Sequence, residues 1–232
     1  MSRNALIIAP SGAGKTTSVR TLDPQHTFIF NSLKKDLPWK GSAKQYKYLS
    51  KDQNGDFVGN MVATTDNRAI IKTLDYINNH MPHIKNVVID DNTFITAMEL
   101  QRRKDESWDK FAIIVQNFLD LVEKSKNLRD DITVFFLHHT KVTGDGVLED
   151  KQVSAMSYGK MLDEKLGSME AHFTVVLRAA KESEGNEIKY VFYTKDANST
   201  VKTPLGMFED EKIPNDLRMV REAIDCYYNE EC

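Results

Sequence analysis

From residue 9 to residue 17 the chain reads APSGAGKTT, and those residue types at that spacing are equipped to hold phosphate. Gly12 and Gly14 let the backbone curl so that its N–H groups converge on anionic oxygens, and a following helix adds the positive end of its dipole. Pro10, Ser11, Gly12, Ala13, Gly14, Lys15, Thr16 and Thr17 are the expected phosphate-contacting set. Within it Lys15 would reach the β- and γ-phosphates, and the Thr16 hydroxyl would ligate Mg²⁺. Ala9 stands where the pattern G-x-x-x-x-G-K-[ST] has its first glycine. The apolar run 5–9 reads as a buried strand and TSVRTL as a helix start, which is the context the pattern requires.

A second constellation lies at VVIDD, residues 87–91, an apolar strand that ends in two carboxylates. Asp90 is the expected metal holder, acting through water, and Asp91 would orient or deprotonate an attacking water. Glu99, on the next segment, is the alternative base, because an Asp is shorter than the Glu more usual in that role. A further apolar run, ITVFFL at 132–137, ends in His138, His139 and Thr140, at the strand end where open α/β sheets bind ligands. One of these, with His138 the candidate, could sense a γ-phosphate. Alternatively one histidine packs inward and the other is solvated.

The elements that must position these groups alternate along the chain. TFIFN at 27–31 reads as a second buried strand, and Asp66 N-caps a helix ending near Pro82. The run NVVIDD at 86–91 is a strand, 108–128 a long amphipathic helix, and 132–137 a strand. Apolar runs rather than strict alternation imply a parallel sheet wrapped by helices. Residues 52–65 and 142–153 read as loop, 158–166 as helix, and 171–179 with 188–194 as strands joined by a hairpin turn. The segment 214–228 reads as a closing helix.

At 232 residues with 41% hydrophobic content, the expectation is one α/β domain spanning 1–232 with a proper core. A net charge of −3 gives no global basic field for nucleic acid, so any polyanion contact must be local. The best local candidate is residues 33–51, where Lys34, Lys35 and Lys40 are interleaved with Trp39, Tyr46 and Tyr48. That segment suits single-stranded DNA by phosphate neutralisation and base stacking, or is a solvated excursion whose aromatics cover the sheet edge. Cys226 and Cys232 give neither a disulfide framework nor metal-ligand spacing and read as thiols. No run approaches the roughly 18 apolar residues of a membrane span, so a soluble, cytoplasmic protein is expected.

The motifs APSGAGKT, VVIDDNT, FFLHHT, YGKMLDEKL and KTPLGMF, with TFIFNSLKKDLPWKGS, resemble the RecA-like P-loop ATPases of bacteriophages, the group that includes single-strand-annealing and recombination-mediator ATPases. The resemblance covers most of the chain. It implies a RecA-like fold, a mainly parallel sheet flanked by helices with a C-terminal antiparallel hairpin. It also implies ATP and Mg²⁺ as cofactors, hydrolysis in a ring or filament, and single-stranded DNA or an annealing or replication protein as client in an infected bacterial host. Ring neighbours of this type often complete the site with a cation in trans, for which Lys202 is the first choice and Lys195 the second. One departure is visible: where RecA proper places a catalytic glutamate after the second strand, this chain has Asn31-Ser32. A switch or assembly factor binding a protein partner, and a small-molecule phosphotransferase, are the alternatives. Phosphotransferases usually bring an arginine-rich lid, which residues 140–153 lack.

Overall fold

The computed structural model describes residues 1–144, 151–157, 167–185 and 187–229. In chain order these residues form β1 (Arg3–Ala9), a 3₁₀ helix (Thr16–Thr21), β2 (Thr27–Asn31), α1 (Ser42–Gln45), β3 (Ser50–Lys51), β4 (Phe57–Val58), β5 (Met61–Val62) and α2 (Asn67–His80). There follow β6 (Asn86–Asp90), α3 (Thr93–Arg102), α4 (Lys110–Lys126), β7 (Thr133–Thr143), β8 (Gln152–Ala155), a second 3₁₀ turn (Met169–His172), β9 (Val175–Glu184), β10 (Glu187–Tyr193), β11 (Lys212–Pro214) and α5 (Leu217–Asn229).

The main sheet runs β11-β10-β9-β1-β7-β6-β2-β5, with β8 paired to β7. From β9 to β5 every pairing is parallel, and the β9–β10 hairpin with β11 adds an antiparallel edge. This is the expected α/β architecture, a mainly parallel sheet with a C-terminal hairpin. β7 lies between β1 and β6, so the strand feeding the glycine-rich loop and the strand ending in Asp90 are not neighbours. The 3₁₀ helix after β1 packs on one face through Val19, and α3 and α4 after β6 pack on the other through Ile95 and Phe118, which leaves a gap between them at the carboxyl ends.

Strand period 2 sorts the core onto two faces. Leu6, Ile8, Phe28, Phe30, Val87, Ile89, Val134 and Phe136 pack with Ile70, Leu74 and Ile77 of α2 and with Phe118, Leu121 and Val122 of α4. The alternate residues, Ala5, Ile7, Ile29, Val88, Phe135 and Leu137, pack on the other face with Val19 and with Leu217, Val220 and Ile224 of α5. Both faces of the central strands are dry, which is why their sequences are continuous apolar runs. The Asp66 carboxylate accepts from the Arg68 N–H at 2.9 Å and fixes the start of α2 as expected.

Several boundaries differ from expectation for identifiable reasons. The helix after the glycine-rich loop is 3₁₀ rather than α: the Ser18 and Thr21 hydroxyls bond back to the Lys15 and Ser18 carbonyls, and such i−3 bonds favour the tighter turn. Residues 52–65, expected as loop, contain the two-residue strands β4 and β5, and β3 and β4 pair around Gly55. β7 runs on to Thr143 because β8 gives its exposed end an antiparallel partner. Cys232, expected as a thiol with Cys226, lies outside the described residues. The helix expected at 158–166 and residues 145–150 of the loop expected at 142–153 lie outside the described residues; of the rest of that loop, 142–143 and 152–153 belong to β7 and β8. Among the described residues no helix is long and apolar enough to cross a membrane.

Candidate nucleotide site

β1 delivers the glycine-rich loop to the carboxyl edge of the sheet, and the loop conformation is one that glycine permits. Gly12 and Gly14 have φ of +74° and +92°, in the left-handed region that side chains disfavour. Lys15 does not point to solvent. Its ammonium donates to the Ala9 carbonyl at 2.8 Å and the Pro10 carbonyl at 3.2 Å, so the side chain spans the loop that it closes. Burial lowers its pKa to about 8, against the pull of Asp91 and Asp90, while Lys35 is close enough to push it the same way as burial. An anion entering the loop would oppose that shift and restore the full charge.

Across the gap, the Thr16 hydroxyl donates to both oxygens of Asp90, at 2.9 and 3.1 Å. Asp90 is 5% exposed, and burial, with the neighbouring Asp91 charge, raises its pKa to about 6. A hydroxyl and a carboxylate side by side are hard oxygen donors of the kind Mg²⁺ takes, and that ion is commonly held by one or two protein oxygens plus phosphate and water. The donor set therefore fits the ion. Among the described residues no group of three His, Cys, Asp or Glu forms a self-sufficient metal cage.

Asp91 follows in a left-handed conformation, φ +51°, which turns its carboxylate back into the cleft. One oxygen meets His139 Nε2 at 3.1 Å and the other meets the Lys35 ammonium at 2.9 Å. Burial would raise its pKa, but the His139 hydrogen bond and Lys35 outweigh it and hold the carboxyl at about 2. Such a weak base suits orienting a water better than taking its proton.

The cleft is lined by Ser11, Gly12, Gly14, Lys15, Thr16 and Thr17 of the loop, and across from them by Lys35, Asp90, Asp91 and His139. Pro10 contributes its carbonyl to Lys15, and Ala13 is buried in the core behind the loop. The remaining site candidates lie apart from this cleft. His138 is 1% exposed, with Nδ1 at 3.0 Å from the Asn92 amide and Nε2 at 2.6 Å from the Met156 carbonyl, and burial lowers its pKa to about 4. It is the inward-packing histidine of the pair, and His139 is the one that faces the cleft. Glu99 is bound by Arg103, Asn67 and Asn117 in a separate polar cavity with Arg102 and Glu106. Lys202 is exposed and pairs through its backbone with Val176, in register with Leu6, towards the amino ends of the parallel strands. Lys195 is likewise exposed and donates to the Glu209 carbonyl at 3.2 Å.

Sequence reasoning missed the hairpin's part in the site. Lys181 and Tyr190 are register partners on β9 and β10. The Lys181 ammonium lies 3.5 Å from where a Gly12 Cβ would stand, and the Tyr190 ring 2.9 Å from where a Gly14 Cβ would stand. The buried Asn215 amide lies 3.3 Å from that same Gly14 position. The only signal was the hairpin itself, whose register depends on the turn at Gly185 rather than on any motif. In the 33–51 segment, Trp39 and Tyr46 pack edge to face at 5.9 Å, and Tyr46 is 3% exposed. Both rings pack against the core, whereas Tyr48, the third aromatic of the segment, is 40% exposed.

No known protein family and no curated protein matches the chain. Among solved structures, it is similar to a KaiC-like protein from the hyperthermophilic archaeon Pyrococcus horikoshii OT3, with 12% identity, a TM-score of 0.48, and 91% of this chain and 84% of that chain covered.

Proposed function

We propose that the chain is a Mg²⁺-dependent ATPase that works as a ring or filament in phage DNA recombination or replication, on single-stranded DNA or with an annealing partner. The observation that carries the nucleotide part is the Thr16 hydroxyl on the Asp90 carboxylate, opposite a loop spanned by Lys15. Those three groups are what phosphate and its counter-ion need, and a buried carboxylate is costly to keep charged without such a counter-ion.

Lys15 neutralises phosphate oxygens, and the loop amides between Pro10 and Thr16 supply further donors. Thr16 and Asp90 would hold Mg²⁺, which when bound neutralises charge on the β- and γ-phosphates. Asp91, fixed by His139, orients the attacking water. In the hydrolytic step the water oxygen bonds to the γ-phosphorus as the bond to the β,γ-bridging oxygen breaks. ADP leaves with that electron pair and the water proton passes to the released phosphate.

The DNA part is supported by the resemblance and by the exposed lysines Lys34, Lys40, Lys44 and Lys47 of the 33–51 segment, part of which lines the cleft. Lys35 no longer belongs to that group, because it is engaged inside the cleft. Assembly, with Lys202 acting on a neighbouring protomer, is supported by the resemblance alone. The test is steady-state ATP hydrolysis with and without single-stranded DNA, for wild type and for a protein with Lys34, Lys40 and Lys44 replaced by Ala. Stimulation that the triple variant loses is expected. Hydrolysis indifferent to DNA would retain the ATPase and discard the DNA client in favour of a protein partner.

A further inference from the structure

Asn31 occupies the place after the second strand where the resemblance would put a catalytic acid, and the structure gives it another task. Its side-chain amide donates to the Lys35 carbonyl at 2.6 Å, and its side-chain oxygen accepts from the Lys35 N–H at 3.1 Å. One buried side chain thus clamps both backbone polar groups of one residue, and the Lys34 N–H closes the turn on the Asn31 carbonyl at 3.2 Å. The clamped residue sends its ammonium into the nucleotide cleft, 2.9 Å from Asp91.

Two further observations mark this contact. Among the described residues, Lys34 and Asp91 are the non-glycine residues with positive φ, at +53° and +51°. Among the described residues, the left-handed non-glycine backbone therefore sits at Asp91 and immediately before Lys35, the two members of one ion pair. Strain of that kind persists where surrounding structure fixes a functional geometry. The pair is also unequal: the Lys35 side chain is 62% exposed and the Asp91 side chain 11%. The lysine can swing while the carboxylate stays held by His139.

We propose that Lys35 is the residue that recognises the terminal phosphate of the nucleotide. Its charge is met by the Asp91 carboxylate. A γ-phosphate, which carries more negative charge than one carboxylate and can accept several hydrogen bonds, competes for the ammonium and draws it off Asp91. Asp91, still positioned by His139, then has an oxygen free to order the attacking water. A diphosphate does not reach this point, so the Lys35–Asp91 pair stays closed. Lys35 would thus supply in cis the cation at the transferring phosphoryl group, and a neutral Asn31 replaces the acid because its work is to aim the lysine. Lys35 is a catalytic residue in this account, since it touches the substrate.

The inference rests on the nucleotide reading, and the experiment separates the two. Affinities for ADP and for a non-hydrolysable ATP analogue, both with Mg²⁺, are measured by calorimetry for wild type, Lys35→Ala, Lys35→Gln and Lys35→Arg, alongside steady-state hydrolysis. Wild type is expected to prefer the triphosphate. Lys35→Ala and Lys35→Gln should each lose about 10-fold or more of that preference, with ADP affinity within about twofold of wild type, and kcat should fall about 100-fold. Lys35→Arg should keep most of the preference. The Gln variant retains chain length, so a packing defect confined to Lys35→Ala does not decide the matter. Variants that keep both the triphosphate preference and kcat would overturn the role of Lys35. A wild type that binds neither nucleotide would instead overturn the nucleotide reading itself.

Discussion

Replacing Asp90 by Asn should stabilise the nucleotide-free protein while destroying its metal-dependent function. The Asp90 carboxyl is buried beside Asp91, and its pKa is raised from 3.8 to about 6, so the folded protein binds this proton more tightly than the unfolded chain does. Folding therefore gains as pH falls from about 6 towards 4 and bears the full cost of the charge above pH 6. A shift of about two units corresponds to about 3 kcal/mol at 1.36 kcal/mol per unit. Asn is close in shape, keeps an oxygen for the Thr16 hydroxyl and the Asp91 N–H, and carries no charge. Urea denaturation at pH 8 should show Asp90→Asn more stable than wild type by about 2–3 kcal/mol, with the advantage gone near pH 4. His138, whose folded pKa is lowered to about 4 by burial, destabilises both proteins as pH falls below about 6.5 and cancels in the difference. Mg²⁺ with ATP should reverse the order at pH 8, because ligand binding stabilises only the protein that can hold it. An Asp90→Asn protein equal to or weaker than wild type at pH 8, or an advantage that persists unchanged at pH 4, would refute the reasoning.

Gly14→Ala should abolish nucleotide binding and cost about 1–3 kcal/mol of stability, since an L-residue is strained at φ +92° and its Cβ would force Tyr190 aside; calorimetry and urea denaturation measure the two effects. Asp91→Asn should bind ATP yet slow hydrolysis by at least 10-fold, whereas Glu99→Gln should leave kcat within about twofold and weaken folding through its contacts with Arg103, Asn67 and Asn117. The opposite pattern would transfer the water-orienting role to Glu99. Mixing Lys202→Ala with Lys15→Ala protein should restore part of the hydrolysis that each lacks, if Lys202 acts on a neighbour's nucleotide; co-assembly without recovery would return it to the surface charges.

The strands that carry the site were legible because their runs are apolar on both faces and bounded by breakers. The second strand is found at Thr27–Asn31 as read, and α2 begins after the Asp66 cap. Lys15, Thr16 and Asp90 converge because a motif encodes local backbone geometry and the sheet order does the rest. What escaped depends on contacts that no local pattern records. His138 and His139 are adjacent in sequence, and only strand pleat decides that the first is buried and the second faces the cleft. Lys35 looked like one lysine of a basic excursion, and its capture by Asp91 follows from a left-handed turn at Lys34 and the Asn31 clamp. The absence of an acid at Asn31 was visible in the sequence, but its structural consequence was not. Lys181 and Tyr190 reach the loop through hairpin register, which shifts every side chain if it slips by one residue.

The central claim is that the glycine-rich loop holds a nucleotide through Lys15 while Thr16 and Asp90 hold its metal. Equilibrium binding of ATP to wild type and to Lys15→Ala, each with Mg²⁺ and with the metal chelated, tests it most directly. The account predicts saturable binding by wild type that weakens when Mg²⁺ is removed, and at least a 100-fold loss in Lys15→Ala, with unchanged circular dichroism. Binding by Lys15→Ala equal to that of wild type would contradict it.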